Sequence, residues 1–272
     1  MSTSQDVAPA DVNQLPGRSR GPLTTRARGA GLLVVNLTVV LTSWELWVRW
    51  RDISKLILPP PSEIVRALQR GFSRGLFWPH LWFTFQEAFF GFLVAMAVAL
   101  PLGFLVVHFR LVDRLTMPYI VGLQSMPKIA IGPLFVTWFG FGLQSKIYLA
   151  ALVAFFPIFI NTVAGFRSVP NEMNELMKAL GAARRHRTRL VLLPNAAPYV
   201  FAGLSVGVVF ALLGAIAAEF VGSPRGMGIL ILTSSAAFDI AGVFAALILL
   251  SLMGITMYGV VEIVRRRIVF WQ

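Results

Sequence analysis

Few side chains in this sequence are equipped for covalent chemistry. There is no cysteine, which removes disulfides, thiolate nucleophiles and cysteine-held metals. The three histidines, His80, His108 and His186, are scattered and match no zinc-ligand spacing, so no metal site is expected. No paired nucleophile and base stands out, and no glycine-rich loop ending in Lys-Ser/Thr is present to cradle a nucleotide's phosphates. What remains is the chemistry of binding and movement. Glu87 and Lys128 fall inside or beside apolar runs, where an ionisable group faces a bundle interior or a cavity because exposure to lipid is costly. Lys128, next to Pro127, suits contact with an anion, with local pairing or snorkelling as the ordinary alternative. Glu87 suits packing or a hydrogen bond between helices. Glu219 precedes Gly222-Ser223-Pro224-Arg225-Gly226; it can pair with Arg225 across that loop or stand as a solvated helix end. Glycines at 222, 226 and 228 favour a tight re-entrant turn. Asn161, Thr162 and Gln124 are candidates for hydrogen bonds between helices.

The elements that must position these groups cross a membrane. Of 272 residues, 57% are hydrophobic and 13% charged, and the mean hydropathy is +0.74; a soluble domain carries about 25% charge. Several runs approach the roughly 20 apolar residues that span a hydrocarbon core. Residues 1–28 read as a disordered cytoplasmic tail carrying Arg18, Arg20, Arg26 and Arg28,. Residues 29–83 hold a first span over 29–48, too late and too long for a typical signal-peptide core. An outer amphipathic segment follows, with Pro59-Pro60-Pro61 stopping the chain before a helix that begins at Ser62. Residues 84–267 supply five more spans, at 84–107, 117–139, 147–163, 199–218 and 240–260, and 268–272 form a cytoplasmic end. The expected fold class is all-α integral membrane with six transmembrane helices. Pro101, Pro127, Pro133 and Pro157 allow kinks or broken helices.

Six spans put both termini on one side. With the N-terminus inside, the cytoplasmic segments hold 15 Lys/Arg and the outer segments eight, so both termini are expected in the cytoplasm. Six of those eight, Arg49, Arg51, Lys55, Arg66, Arg70 and Arg74, oppose that orientation unless they lie at an interface along an amphipathic helix. The net charge of +12 is thus read as membrane topology, and no nucleic-acid partner is expected. Most tryptophans stand near span ends, where indole rings favour the headgroup level.

The polar region 167–197 lies between two spans. Gly181 can end one short helix and Pro194 the next, so two short helices joined by a turn are expected across the cytoplasmic surface. In the first, Glu172, Glu175 and Lys178 alternate with Met173, Leu176, Met177 and Leu180, leaving an apolar strip in need of a dock. A cytoplasmic protein is one occupant; the other reading is a basic loop, Arg184 to Arg189, holding anionic lipid heads.

The order Glu172, Glu175, Ala179-Leu180-Gly181-Ala182, Val191, Leu193-Pro194 resembles the cytoplasmic signature loop of ABC importer permeases. That loop carries a Glu-Ala-Ala triplet, a glycine six residues after the glutamate, then a hydrophobic residue and Leu-Pro. Here the triplet is Glu175-Leu176-Met177, so both alanines are replaced. Further segments resemble the branch that imports sulfonates, taurine, nitrate and related small anions, whose relatives include permeases for thiamine-precursor pyrimidines. They are Leu58-Pro59-Pro60-Pro61, Gln124-Ser125-Met126-Pro127, Ile129 to Phe135, Trp138-Phe139-Gly140, Glu219-Phe220 and Gly226-Met227-Gly228.

The resemblance implies a permease subunit in a bacterial inner membrane, pairing with a second copy about a two-fold axis. Two cytoplasmic ABC ATPases, carrying ATP and Mg2+, would bind the loop around Glu172, Glu175, Leu176, Met177, Ala179, Leu180, Gly181 and Ala182. A periplasmic or lipid-anchored solute-binding protein would meet the outer face near Glu219, Arg225 and Gly226, and Gln124, Met126, Pro127 and Lys128 would line the pathway for a small anion. The chain itself is then neither an enzyme nor a cofactor holder. An ion-coupled secondary transporter would instead call for inverted repeats and a midplane ion pair, and a membrane enzyme for reacting groups brought together.

Overall fold

The computed structural model describes residues 22–271, and among them the chain is all-helical. The expected tail, 1–28, lies largely outside the described residues. Two compact units divide after Ile53. The first holds α1 (Pro22–Trp50), whose middle is the first expected span. Thr38 and Thr42 stay in this apolar helix by donating their hydroxyls to the carbonyls of Val34 and Thr38, which satisfies them without water.

The second unit begins with the amphipathic α2 (Pro61–Ser73), which takes Pro61 at its first turn, where a missing N–H costs nothing,. Lys55 donates to Glu63 at 2.8 Å, and that hydrogen bond holds the half-buried Glu63 carboxyl below its ordinary range,. The core consists of α3 (Phe77–His108), α6 (Leu143–Arg167) and α9 (Leu193–Val221). Between them run α4 (Arg110–Ser125), α5 (Gly132–Phe139), α7 (Asn171–Ala179) and the single turn α8 (Arg184–Arg187); α10 (Met227–Ala236) and α11 (Ile240–Ile268) complete the chain. Among the described residues, four helices are long and apolar enough to cross a membrane, namely α3, α6, α9 with the turns leading into it, and α11, or five if the bent run 110–139 counts as one span. The run 110–139, expected as one span over 117–139, is broken: α4 and the segment from Lys128 through α5 meet at 89°. Pro127 and Pro133 flank the break, whereas Pro101 and Pro157 sit inside unbroken helices.

Small residues set the core's geometry. A side chain at Gly91 would meet Ala150, and one at Gly103 would meet Thr162, so α3 and α6 run parallel. Gly203 faces Pro157 and Ile158, Gly207 faces Ile158, and Gly214 faces Ala150, so α9 runs antiparallel to α6. Such close backbone approach is how helices associate where lipid tails offer no hydrophobic contrast. Asn161 and Thr162 do not bridge helices as expected. They bond to Pro157 and Ile158 carbonyls on their own helix, at 2.8 and 2.7 Å, because a short polar side chain reaches the preceding turn more readily than a neighbour.

A Cβ at Gly214 would stand 2.8 Å from the Cα of Ala150, a backbone atom that cannot rotate away, whereas Gly122 has nothing within 4 Å. Gly214→Ala is therefore expected to cost about 1–3 kcal/mol of overpacking and to lower the thermal midpoint in detergent, with Gly122→Ala as the neutral control. Equal midpoints for the two variants would remove Gly214 from the close contact.

Candidate functional site

Polar chemistry collects at the two ends of the bundle and at the break between α4 and α5. At one end, α6 leads into the segment that returns as α9. Pro170 precedes α7, and the helix closes on Gly181, whose φ of +68° is open to glycine at no steric cost,. The Gly181 N–H donates to the Lys178 carbonyl at 2.9 Å and the Ala182 N–H to the Met177 carbonyl at 3.0 Å, the paired bonds of a Schellman stop. The turn expected at Gly181 thus has a definite form. Pro194 does not end the next helix, as expected, but sits in the first turn of α9. A wide π turn, Thr188–Leu192, joins α8 to it, so the backbone is helical from 184 to 221. Proline breaks the regular α ladder where its N–H is missing, and the wide π turn just before it is where the helical bonding changes,.

Glu172, Glu175, Ala179 and Gly181 are exposed on this segment, Ala182 and Met177 half-buried. Met173, Leu176 and Leu180, three and four residues apart, form one apolar strip; Leu176 is 59% and Leu180 71% exposed. Asn195 of α9 reaches Met173 with its amide, 3.8 Å from the sulfur.

At the break, Gln124, Met126 and Pro127 are exposed and Lys128 half-buried. The Lys128 ammonium turns back to the Gln124 carbonyl at 2.8 Å and lies 4.4 Å from the centre of the Phe156 ring. It caps the end of α4 and meets the negative face of an aromatic ring. Both partners are neutral, so the positive charge is oriented without being cancelled.

The opposite end of the bundle differs most from the sequence reading. Glu219 neither pairs with Arg225 nor meets solvent: it is fully buried. Thr84 of α3 donates its hydroxyl to Glu219 Oε1 at 2.5 Å, and the Gly228 N–H donates to Oε2. The Met227 N–H in turn donates to Thr84 Oγ1 at 2.8 Å, and His80 Nδ1 lies 2.7 Å from the Gly226 carbonyl. The start of α10 is therefore tied to α3 and α9 by a carboxylate set into a glycine cradle, since a side chain at Gly226 or Gly228 would occupy the space of the Glu219 carboxyl. Arg225 stays exposed beside it, and Ser223 donates to its carbonyl at 2.6 Å. Glu87 and Lys146 are also fully buried. Lys146 donates to the Phe141 carbonyl at 2.5 Å, and the two Glu87 oxygens receive no hydrogen bond.

Sequence reasoning missed Thr84, Lys146 and the role of His80. Lys146 carried the available signal, a lone cation at the edge of an apolar run,. Among the described residues no cluster of three or more histidines and acids is placed to hold a metal.

Gly226 has φ +128° and lies against the Glu219 carboxyl. Gly226→Ala combines backbone strain with displacement of a buried carboxylate, so a loss of about 1–3 kcal/mol or more is expected. Gly142, with open space around it, supplies the control. Limited proteolysis across 222–240 checks the outcome: cleavage no faster than in Gly142→Ala would detach the cradle from α10.

The chain matches the family described as binding-protein-dependent transport system inner membrane component over residues 87–270. The riboflavin transport system permease protein RibX of Chloroflexus aurantiacus is 36% identical over 240 residues, covering 88% of this chain and 90% of the relative. The taurine transport system permease protein TauC of Escherichia coli K12 is 28% identical over 258 residues, covering 93% of each. Among solved structures, the MetNI methionine ABC transporter in an inward-facing conformation has a similar fold, with a TM-score of 0.62 at 19% identity, covering 71% of this chain and 97% of that one. Matched by the family from Glu87 onward and by relatives over most of its length, the chain belongs to the binding-protein-dependent transport system inner membrane components, the multi-pass permeases of ABC importers.

Proposed function

We propose that this permease carries a small anion, such as a sulfonate, taurine or nitrate, across a bacterial inner membrane as a two-fold homodimer with both termini in the cytoplasm. The observation that carries the mechanism is α7. Its strip Met173, Leu176 and Leu180 is exposed, and it stands on a Gly181 turn between the two helices of closest core contact, α6 and α9. A cytoplasmic ATPase docks this strip, with Glu172 and Glu175 at its polar edge and Leu176, Met177, Ala179, Leu180 and Ala182 around the turn. Two such ATPases hold the ATP and Mg2+, and their closure pushes on α7. The solute-binding protein meets the opposite end, around Arg225 and the buried Glu219–Gly226 turn. Solute passes the break at Gln124, Met126, Pro127 and Lys128.

An anion is favoured by Lys128, whose charge meets a carbonyl and a ring, with no acid beside it among the described residues. The taurine named for TauC carries a sulfonate of the kind an oriented ammonium attracts, whereas the riboflavin named for RibX is larger. Selection among such solutes falls to the binding protein as much as to this chain.

Co-purification with its neighbouring gene products in mild detergent should give two copies of this chain with two ATPases. In that complex Gly181→Val forces a β-branched residue into the left-handed region, costing about 1–2 kcal/mol at the turn. ATP hydrolysis is expected to continue while transport falls; unchanged coupled transport would reject α7 as the coupling element. Lys128→Met, assayed with taurine, nitrate and an alkyl sulfonate in proteoliposomes, is expected to raise the half-saturating concentration about tenfold, equivalent to about 1.4 kcal/mol. An unaltered dependence on all three removes Lys128 from the pathway.

A further inference from the structure

Glu87 has no place in the transport reading, yet it is among the most deeply buried polar groups in the bundle. Its side chain has no exposure, and neither carboxyl oxygen receives a hydrogen bond. The group beside it is the Glu219 carboxyl. Two ionised carboxylates in contact and out of water repel each other and offer only acceptors. One of the pair must supply a donor.

The hydrogen bonds decide which. The Met227 N–H occupies a lone pair of Thr84 Oγ1, and the Thr84 hydroxyl then points its hydrogen at Glu219 Oε1. The Gly228 N–H points at Oε2. Both Glu219 oxygens are accepting, the pattern of an ionised carboxylate. Each Glu219 oxygen already accepts from a protein donor, whereas neither Glu87 oxygen does, so the negative charge is better satisfied on Glu219 and the proton better placed on Glu87,. The charges agree: from α6, Lys146 brings one positive charge near both carboxyls, and Glu219 from α9 brings one negative. From α3, His80 is turned to Gly226, and α10 carries no ionisable residue. A proton on Glu87 makes the Lys146–Glu219–Glu87 group neutral overall; without it, a net negative charge would be sealed inside the bundle.

We propose that Glu87 is a carboxylic acid that donates its proton to Glu219, so that the two form a buried one-proton site that fixes the start of α10 against α3 and α9. Glu87 is a positioning residue, acting on the outer turn through Glu219. The proton is held by the pair and neutralised with Lys146; it is not passed to solute.

The test is infrared spectroscopy of the purified complex at neutral pH, with glutamate carboxyl-13C labelling. The C=O band of a protonated carboxylic acid, shifting on labelling and on transfer to D2O, is expected in the wild type. Its absence there overturns the proposal without recourse to any variant. Glu87→Gln, which keeps a donor of the same shape, should lose the band yet retain the wild-type folded-to-unfolded ratio within about twofold, whereas Glu87→Ala and Glu219→Gln should each lower that ratio at least about tenfold. A band that survives in Glu87→Gln, or a Gln variant as unstable as the Ala variant, would assign the proton elsewhere.

Discussion

The contact of α6 with α3 on one side and α9 on the other is the constraint on which the remaining structure rests. In lipid, burying a leucine against another helix gains little over burying it against an acyl chain, so helices hold together where their backbones come close. Gly91, Gly103, Gly203, Gly207 and Gly214 provide that approach, each standing where a side chain would strike α6. Larger apolar residues, such as Leu213, Val206 and Val98, are left to face outward, the reverse of a soluble bundle. The consequence is a close-packed three-helix centre, with the polar groups described above at its ends and at one break.

Those ends solve opposite problems. At the α7 end polar and apolar groups are both displayed, and the segment is short, capped and exposed. At the Glu219 end charge is concealed, and concealment demands complete hydrogen bonding because hydrocarbon offers no alternative partner. Thr84 and the Gly228 N–H meet that demand for Glu219, and the Met227 N–H meets it for Thr84. Glycine at 226 and 228 is required twice over, by the space the carboxylate fills and, at 226, by the positive φ of the turn. In the sequence the same two letters indicate a tight re-entrant turn without saying what it holds.

Much of the fold was legible because apolar length and charge placement are properties of single segments. The break near Pro127, the turn at Gly181 and the apolar strip of α7 all follow from local rules about proline, left-handed glycine and helical spacing. Pro194 shows where a local rule has two outcomes: it stops a helix when it follows one and starts a helix when it occupies the first turn, and its own residue type does not say which. The Glu219 site was illegible for a different reason. Its members come from α3, α6, α9 and α10, far apart along the chain, and the apparent partner, Arg225, was near only in sequence. A buried carboxylate and a solvated helix end look alike until the neighbouring helices are placed.

The three-helix centre also limits how the two ends can affect each other. α6 enters the α7 segment and α9 leaves it, and at their far ends these helices carry Lys146 and Glu219. A displacement applied at α7 therefore acts on the two helices that bring both charges to the buried group. Because Gly203, Gly207 and Gly214 place α9 backbone within contact distance of α6, sliding one helix past the other by a fraction of a turn would drive main-chain atoms together. Close-packed interfaces of this kind move as bodies or not at all. Motion at α7 thus carries Lys146 and Glu219 together, and what changes is the position of this body relative to the elements it touches less intimately, α4 with α5 across the break and α11. Lys128 stands at that break, with its ammonium over Phe156 of α6, so this cation sits at the boundary between the three-helix centre and the bent α4–α5 segment.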